Sequence, residues 1–154
     1  MKYLVLYLKP CEKLPRDAYA HLGFYLKNGL ISHVVATKHG LRLVSARCEE
    51  CIFYKLLTST YVYGTPQISQ GRIKVVALDN RAVRRLVAQH SHQVVKVVEA
   101  GPRSLVLTER QKEVLRALAD GHNISSTARM ESVSKVAVYK TFKTALRKVV
   151  ALLA

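Results

Sequence analysis

A chain of 154 residues is one ordinary domain or two small ones, which excludes a large multidomain enzyme. Hydrophobic residues make up 49% and mean hydropathy is +0.06, enough apolar side chain to fold and no signature of disorder. Twenty-five basic residues against ten acidic ones leave a net charge of +15, and the usual reason a fold tolerates such self-repulsion is a polyanionic partner, nucleic acid first.

Met1 to Lys9 is a continuous apolar run of strand length, as expected of a central strand covered on both faces. No run approaches the length of a membrane span, and no cleavage pattern follows Met1, so the reading is a cytoplasmic protein that does not engage a membrane. Leu14 to Gly29 reads as a helix: Pro15 suits its first turn, Ala18, Leu22, Tyr25 and Leu26 form a stripe, and Asn28-Gly29 stops it. Leu30 to Thr37 and Leu41 to Ala46 read as strands joined by a turn at Lys38-His39-Gly40. A helix is expected over Cys48 to Leu57, then loop or edge strand from Tyr61 to Gly71.

Arg72 to Leu78 is again strand-like, Asp79-Asn80 offers an N-cap, and Ala82, Val83, Leu86 and Val87 form one helix face. Gln93 to Ala100 follows as a strand, giving a crossover expected to be parallel and right-handed. Residues 1–100 are thus expected to be an α/β domain with a mixed sheet and flanking helices, for dimerisation or sensing. Residues 101–104 break both periodicities and read as a linker. Residues 105–154 are all-α. Both parts are basic, +10 before Ser104 and +5 from it onward, so the charge is not a detachable tail.

In the all-α part, Thr108 and Gln111 have capping-box spacing. Leu107, Val114, Leu115 and Leu118 supply a buried stripe, and Gly121 ends the first helix. A short second helix runs from Ile124 to Arg129, Glu131-Ser132-Val133 is a turn with Val133 tucked inward, and Ser134 caps a third helix. There Val138, Phe142, Ala145, Leu146 and Val149 fall on one side. Lys135, Tyr139, Lys143 and Arg147 form an i, i+4 stripe with Lys140 beside it. Five basic residues and no acid lie between Ser134 and Lys148, which suits a groove lined with phosphates.

The segment resembles the helix-turn-helix of the LuxR/GerE class and of sigma-factor region 4. The residues that carry the likeness are Leu107-Thr108, Gln111, Glu113-Val114-Leu115, Asp120-Gly121, Ala128, Val133-Ser134, Val138 and Leu146-Arg147-Lys148-Val149. The likeness covers about 45 residues, under a third of the chain. It implies that Ser134 to Val149 is the recognition helix, with Lys135, Val136, Tyr139, Lys140 and Lys143 meeting DNA; Ser134 and Arg147 flank them on the same helix. Thr127 departs from the pattern, standing where a large aliphatic residue usually precedes the alanine. The class's fourth, dimer-forming helix is not found, so dimerisation falls to residues 1–100 or to the apolar end Val149 to Leu153.

Other features are weaker. Cys48-Glu49-Glu50-Cys51 is a lone C-x-x-C. Its thiols could form a redox disulfide, join Cys11 or His39 on a metal, or simply be half-buried hydrophobes. His90-Ser91-His92 closes a helix, where imidazole complements the negative end. Arg81, Arg84 and Arg85 near a helix start offer supplementary phosphate contacts. Asp17, Asp79 and Glu99 could in principle assemble a nuclease site, two of them near strand ends, but acids are scarce and spacing gives no support. No phosphate loop, nucleophile elbow or metal-site spacing is present, so neither a catalytic residue nor a cofactor is expected. The expected function is a sequence-specific regulator of transcription, a homodimer on double-stranded DNA, with room for an unidentified small effector. An architectural nucleic-acid binder and a nucleic-acid-processing enzyme are the alternatives.

Overall fold

The computed structural model describes residues 1–153. The protein is mixed α/β, with two antiparallel sheets and its helices. The chain divides into two compact units, Met1–Gly101 and Pro102–Ala154.

In the first unit, β1 (Tyr3–Leu8), β5 (Gln67–Ser69), β6 (Arg72–Leu78) and β7 (Val94–Ala100) form a sheet of order β5-β6-β1-β7. The apolar run at the chain start is an inner strand, as its composition predicts. The sheet is not mixed, however, because β1 pairs antiparallel with both β6 and β7. Strands β6 and β7 do run parallel to each other, but β1 lies between them. The crossover helix α2 (Arg81–Gln89) therefore spans a strand rather than joining neighbours. Its N-cap is Asn80, whose side chain accepts the Val83 N–H at 2.9 Å. Register sets Leu4 opposite Ala77, Leu6 opposite Val75 and Leu8 opposite Ile73, so one face of this sheet is continuous core.

The second sheet is a meander, β2 (Ala20–Lys27), β3 (Leu30–Thr37) and β4 (Gly40–Arg47). Here the expected helix over Leu14 to Gly29 is overturned: its second half is strand β2. The stripe Ala18, Leu22, Tyr25, Leu26 fits helical spacing, yet Tyr25 is 64% exposed, whereas Leu26 packs against the core. What decides the matter is Asn28-Gly29. Its φ values of +49° and +76° are those of a two-residue hairpin turn, so the pair reverses the chain instead of ending a helix. A Cβ on Gly29 would meet only the mobile end of the exposed Glu49 side chain, so it is the positive φ that favours glycine there.

Helix α1 (Ile52–Ser59) begins four residues later than expected. Cys48 to Cys51 is a turn closed by the Cys51 N–H to the Cys48 carbonyl at 2.9 Å, with Cys51 as N-cap. Ile52, Phe53 and Leu56 of α1 join Ile31 and Val35 of β3, Val83 of α2 and the inner β1 and β6 residues in one core.

The second unit is helical throughout its described residues: α3 (Pro102–Leu105), α4 (Glu109–Ala119), α5 (Ile124–Met130) and α6 (Lys135–Leu153). Its buried cluster is small, Val114, Ala128 and Val138, with Leu118, Ile124, Val133 and Phe142 packed against it. No helix among the described residues is long and apolar enough to cross a membrane.

Candidate nucleic-acid interface

Helix α4 starts on a reciprocal capping box. Thr108 Oγ1 accepts the Gln111 N–H at 3.2 Å and Gln111 Oε1 accepts the Thr108 N–H at 3.0 Å. Helix α5 starts on a second box: Asn123 Oδ1 accepts the Ser126 N–H at 2.8 Å and Ser126 Oγ accepts the Asn123 N–H at 3.0 Å. The chain then turns into α6 through residues 131–134. Ser132 sits at φ +53°, the Val133 N–H reaches the Ala128 carbonyl at 3.0 Å, and Val133 packs on the small core. Ser134 caps α6, its Oγ accepting the Ala137 N–H at 3.1 Å.

Val138 and Ala145 are buried and Phe142 is half-buried, so one side of α6 faces α4 and α5. The other side is exposed and carries Lys135, Val136, Tyr139, Lys140, Lys143 and Arg147. The i, i+4 row from Lys135 to Arg147 extends about 18 Å along the axis, the length of roughly five stacked base pairs. Lys143 Nζ lies 6.0 Å from the centre of the Tyr139 ring, so cation and aromatic form one surface. No acid occurs anywhere on α6.

Two residues depart from the spacing argument. Leu146, expected inside, is exposed. Lys148, counted among the five groove-directed cations, is 7% exposed and turns inward. Its Nζ donates to the Val106 carbonyl and to Gln111 Oε1, each at 2.8 Å. The cationic face therefore holds four charges, and Lys148 fastens α6 to the start of α4. Spacing alone could have shown that Lys148 lies on the Val138–Ala145 side, but the sign of its charge concealed it. Thr127 is 1% exposed and its hydroxyl has no hydrogen-bond partner among the described residues. Where an aliphatic residue was expected, an unsatisfied polar atom is buried.

In the first unit, Arg81 and Arg85 are exposed on α2. Arg84 is engaged: it grips Asp79 at 2.7 and 2.8 Å and reaches Glu99 at 2.9 Å. The Arg84 guanidinium holds both carboxyls below the usual carboxylate range. Asp79 and Glu99 thus share an arginine, and no group of three or more His, Cys, Asp or Glu among the described residues is placed to hold a metal ion.

Cys11, Cys48 and Cys51 are free thiols that line a cavity of about 160 Å³ together with His33 and Phe53. Burial pushes the Cys48 thiol up. His39 is exposed in the β3–β4 turn and is not among the residues lining that cavity. Sequence reading passed over a buried histidine pair. His21 Nε2 and His33 Nδ1 are 2.9 Å apart, and His21 Nδ1 has no hydrogen-bond partner among the described residues. Burial lowers both, His33 to about 4.

No family model, curated protein or solved structure matches this chain.

Proposed function

We propose that the chain is a sequence-specific regulator of transcription that binds double-stranded DNA, with α4, α5 and α6 as a helix-turn-helix and α6 as the recognition helix. The observation that carries this reading is the two-sidedness of α6: one face is packed into the unit's core, and the other is exposed, acid-free and lined by Lys135, Tyr139, Lys140, Lys143 and Arg147. In the major groove the lysines and Arg147 reach phosphates or guanine edges, Tyr139 offers its hydroxyl, and Val136 meets a thymine methyl. Ser134 caps the helix at the end that enters the groove. Arg81 and Arg85 remain available for further phosphates, whereas Arg84 is occupied by Asp79 and Glu99. The reading is a cytoplasmic binding protein that acts as a homodimer and needs no cofactor.

Selection from genomic fragments tests it. A selected sequence competes at least about a hundredfold better than bulk DNA near physiological salt. Lys140→Ala and Lys143→Ala each weaken binding and reduce the salt slope by about one, with stability unchanged within about 0.5 kcal/mol. Unchanged affinity in both variants removes α6 from the groove. Specificity absent with binding intact favours the alternative suggested by the charge on both units, an architectural binder held by phosphates alone.

A further inference from the structure

We infer that the outward face of the β2-β3-β4 sheet is where a second copy of this chain docks, sheet against sheet. This rests on the regulator reading for its purpose, two DNA-reading heads held together, and on the face itself for its substance.

Alternation along β3 sends Ile31, His33 and Val35 inward and Leu30, Ser32 and Val34 outward; Ala36 follows on the outward side but is itself buried, with only its neighbour Leu41 open to solvent. Register extends the outward set across the sheet: Val34 lies opposite Leu43, Ala36 opposite Leu41, and Tyr25 and Ser45 flank Ser32. Leu43 is 70% exposed and Leu41 68%. Large aliphatic side chains clustered on one exposed sheet face mark an interaction surface. The two serines within it satisfy each other, Ser32 Oγ and Ser45 Oγ lying 2.7 Å apart, and ask nothing of a partner.

Charge selects the occupant. In a chain of net +15, the outward rows of this face carry charge only in the last, where Lys27 and Arg47 flank Leu30. Glu49 stands beside the adjoining turn. An acidic partner would be drawn to the cationic surfaces, whereas this face lets a chain of the same charge approach. Two copies packed about 10 Å apart with strand directions opposed place their cationic rows at opposite ends. Strands of eight residues span about 27 Å, beyond the screening length of about 8 Å at physiological salt, so the rows do not repel across the interface. Such a pairing uses the same patch on both copies and closes at two.

Sedimentation equilibrium of the full chain without DNA tests this. The expected result is a dimer at micromolar concentration that does not grow further. Leu43→Glu brings like charges together across the two-fold axis and raises the dissociation constant at least about a hundredfold, with the far-ultraviolet spectrum unchanged. Leu41→Ala removes an aliphatic side chain from the same face, weakens the dimer in the same direction and stands in should Leu43→Glu misfold. Val98→Glu, on the exposed edge strand β7, leaves the dimer intact. A monomeric wild-type chain, unlimited association, or a dimer broken by Val98→Glu but not by Leu43→Glu overturns the inference. A monomer that still selects a DNA motif separates this failure from failure of the DNA reading.

Discussion

Two buried polar sites, one in each unit, are handled in opposite ways. In the helical unit, Lys148 is buried with two acceptor oxygens on its Nζ, the Val106 carbonyl and Gln111 Oε1. In the sheet unit, His21 and His33 are taken out of water without charge, and burial holds them neutral. An imidazole, whose ordinary value lies near 6.5, gives its proton up when burial costs the charged form its hydration. The two units should therefore respond differently to acid.

That contrast can be broken most forcefully by pH. An imidazole lowered in the folded state stays fully compatible with folding above its unfolded value of 6.5. Below it the unfolded chain takes up protons first, and stability is lost until the folded value, about 4 for His33, is reached. The expected loss is on the order of 3 kcal/mol between pH 6.5 and 4. Asp79 and Glu99 act in a separate, lower window: with depressed values, the stability they lend is present above the unfolded carboxylate range and fades only as pH falls below it. Seven of the eight tyrosines lie before Gly101, so near-ultraviolet dichroism follows the sheet unit. A tyrosine-reported transition that is flat from pH 6.5 to 4.5 refutes the neutral pair.

Next in size is Lys148→Ala. It removes the hydrogen bonds to the Val106 carbonyl and Gln111 Oε1 and opens a gap beneath α6 where the buried Lys148 stem packs, which costs about 2 kcal/mol by denaturant unfolding of the helical signal. Lys140→Ala and Lys143→Ala, on the exposed side, leave that signal in place and change only DNA affinity. A Lys148→Ala variant of full stability and reduced affinity would put this side chain on the DNA instead. The smallest effect is expected at Thr127→Val, which removes a buried hydroxyl without a partner at nearly constant shape and stabilises the helical unit by about 1 kcal/mol. A loss of stability there means the hydroxyl has a partner, most simply a buried water.

What could be read from the sequence follows the same division. Capping boxes, stop glycine and alternating strands are local, and Thr108, Asn80, Ser134 and the strand at Arg72 to Leu78 are where local chemistry puts them. The segment from Leu14 to Gly29 misled because its apolar spacing is helical while its partner strand lies beyond the turn, and only pairing with β3 decides between the two. The histidine pair escaped for the same reason: twelve residues separate His21 from His33, and the hairpin register alone brings them together. At the candidate site, the exposed stripe was legible from a period of four, whereas the fate of Lys148 depended on acceptors supplied by residues 106 and 111.

Lys148 has a consequence for how α6 presents itself. Successive residues on a helix point about 100° apart, so a slip of one position would carry Lys148 out to solvent and swing Arg147 or Val149 towards Gln111. Neither replacement satisfies the geometry: Val149 has no donor, and Arg147 would deliver a planar fork where a compact ammonium fits. The lysine acts as a cog that sets the rotational phase of α6, and with it the direction in which Lys135, Tyr139, Lys143 and Arg147 all point. Because Gln111 Oε1 also accepts the Thr108 N–H, that phase is referenced to the first turn of α4 through a single oxygen atom.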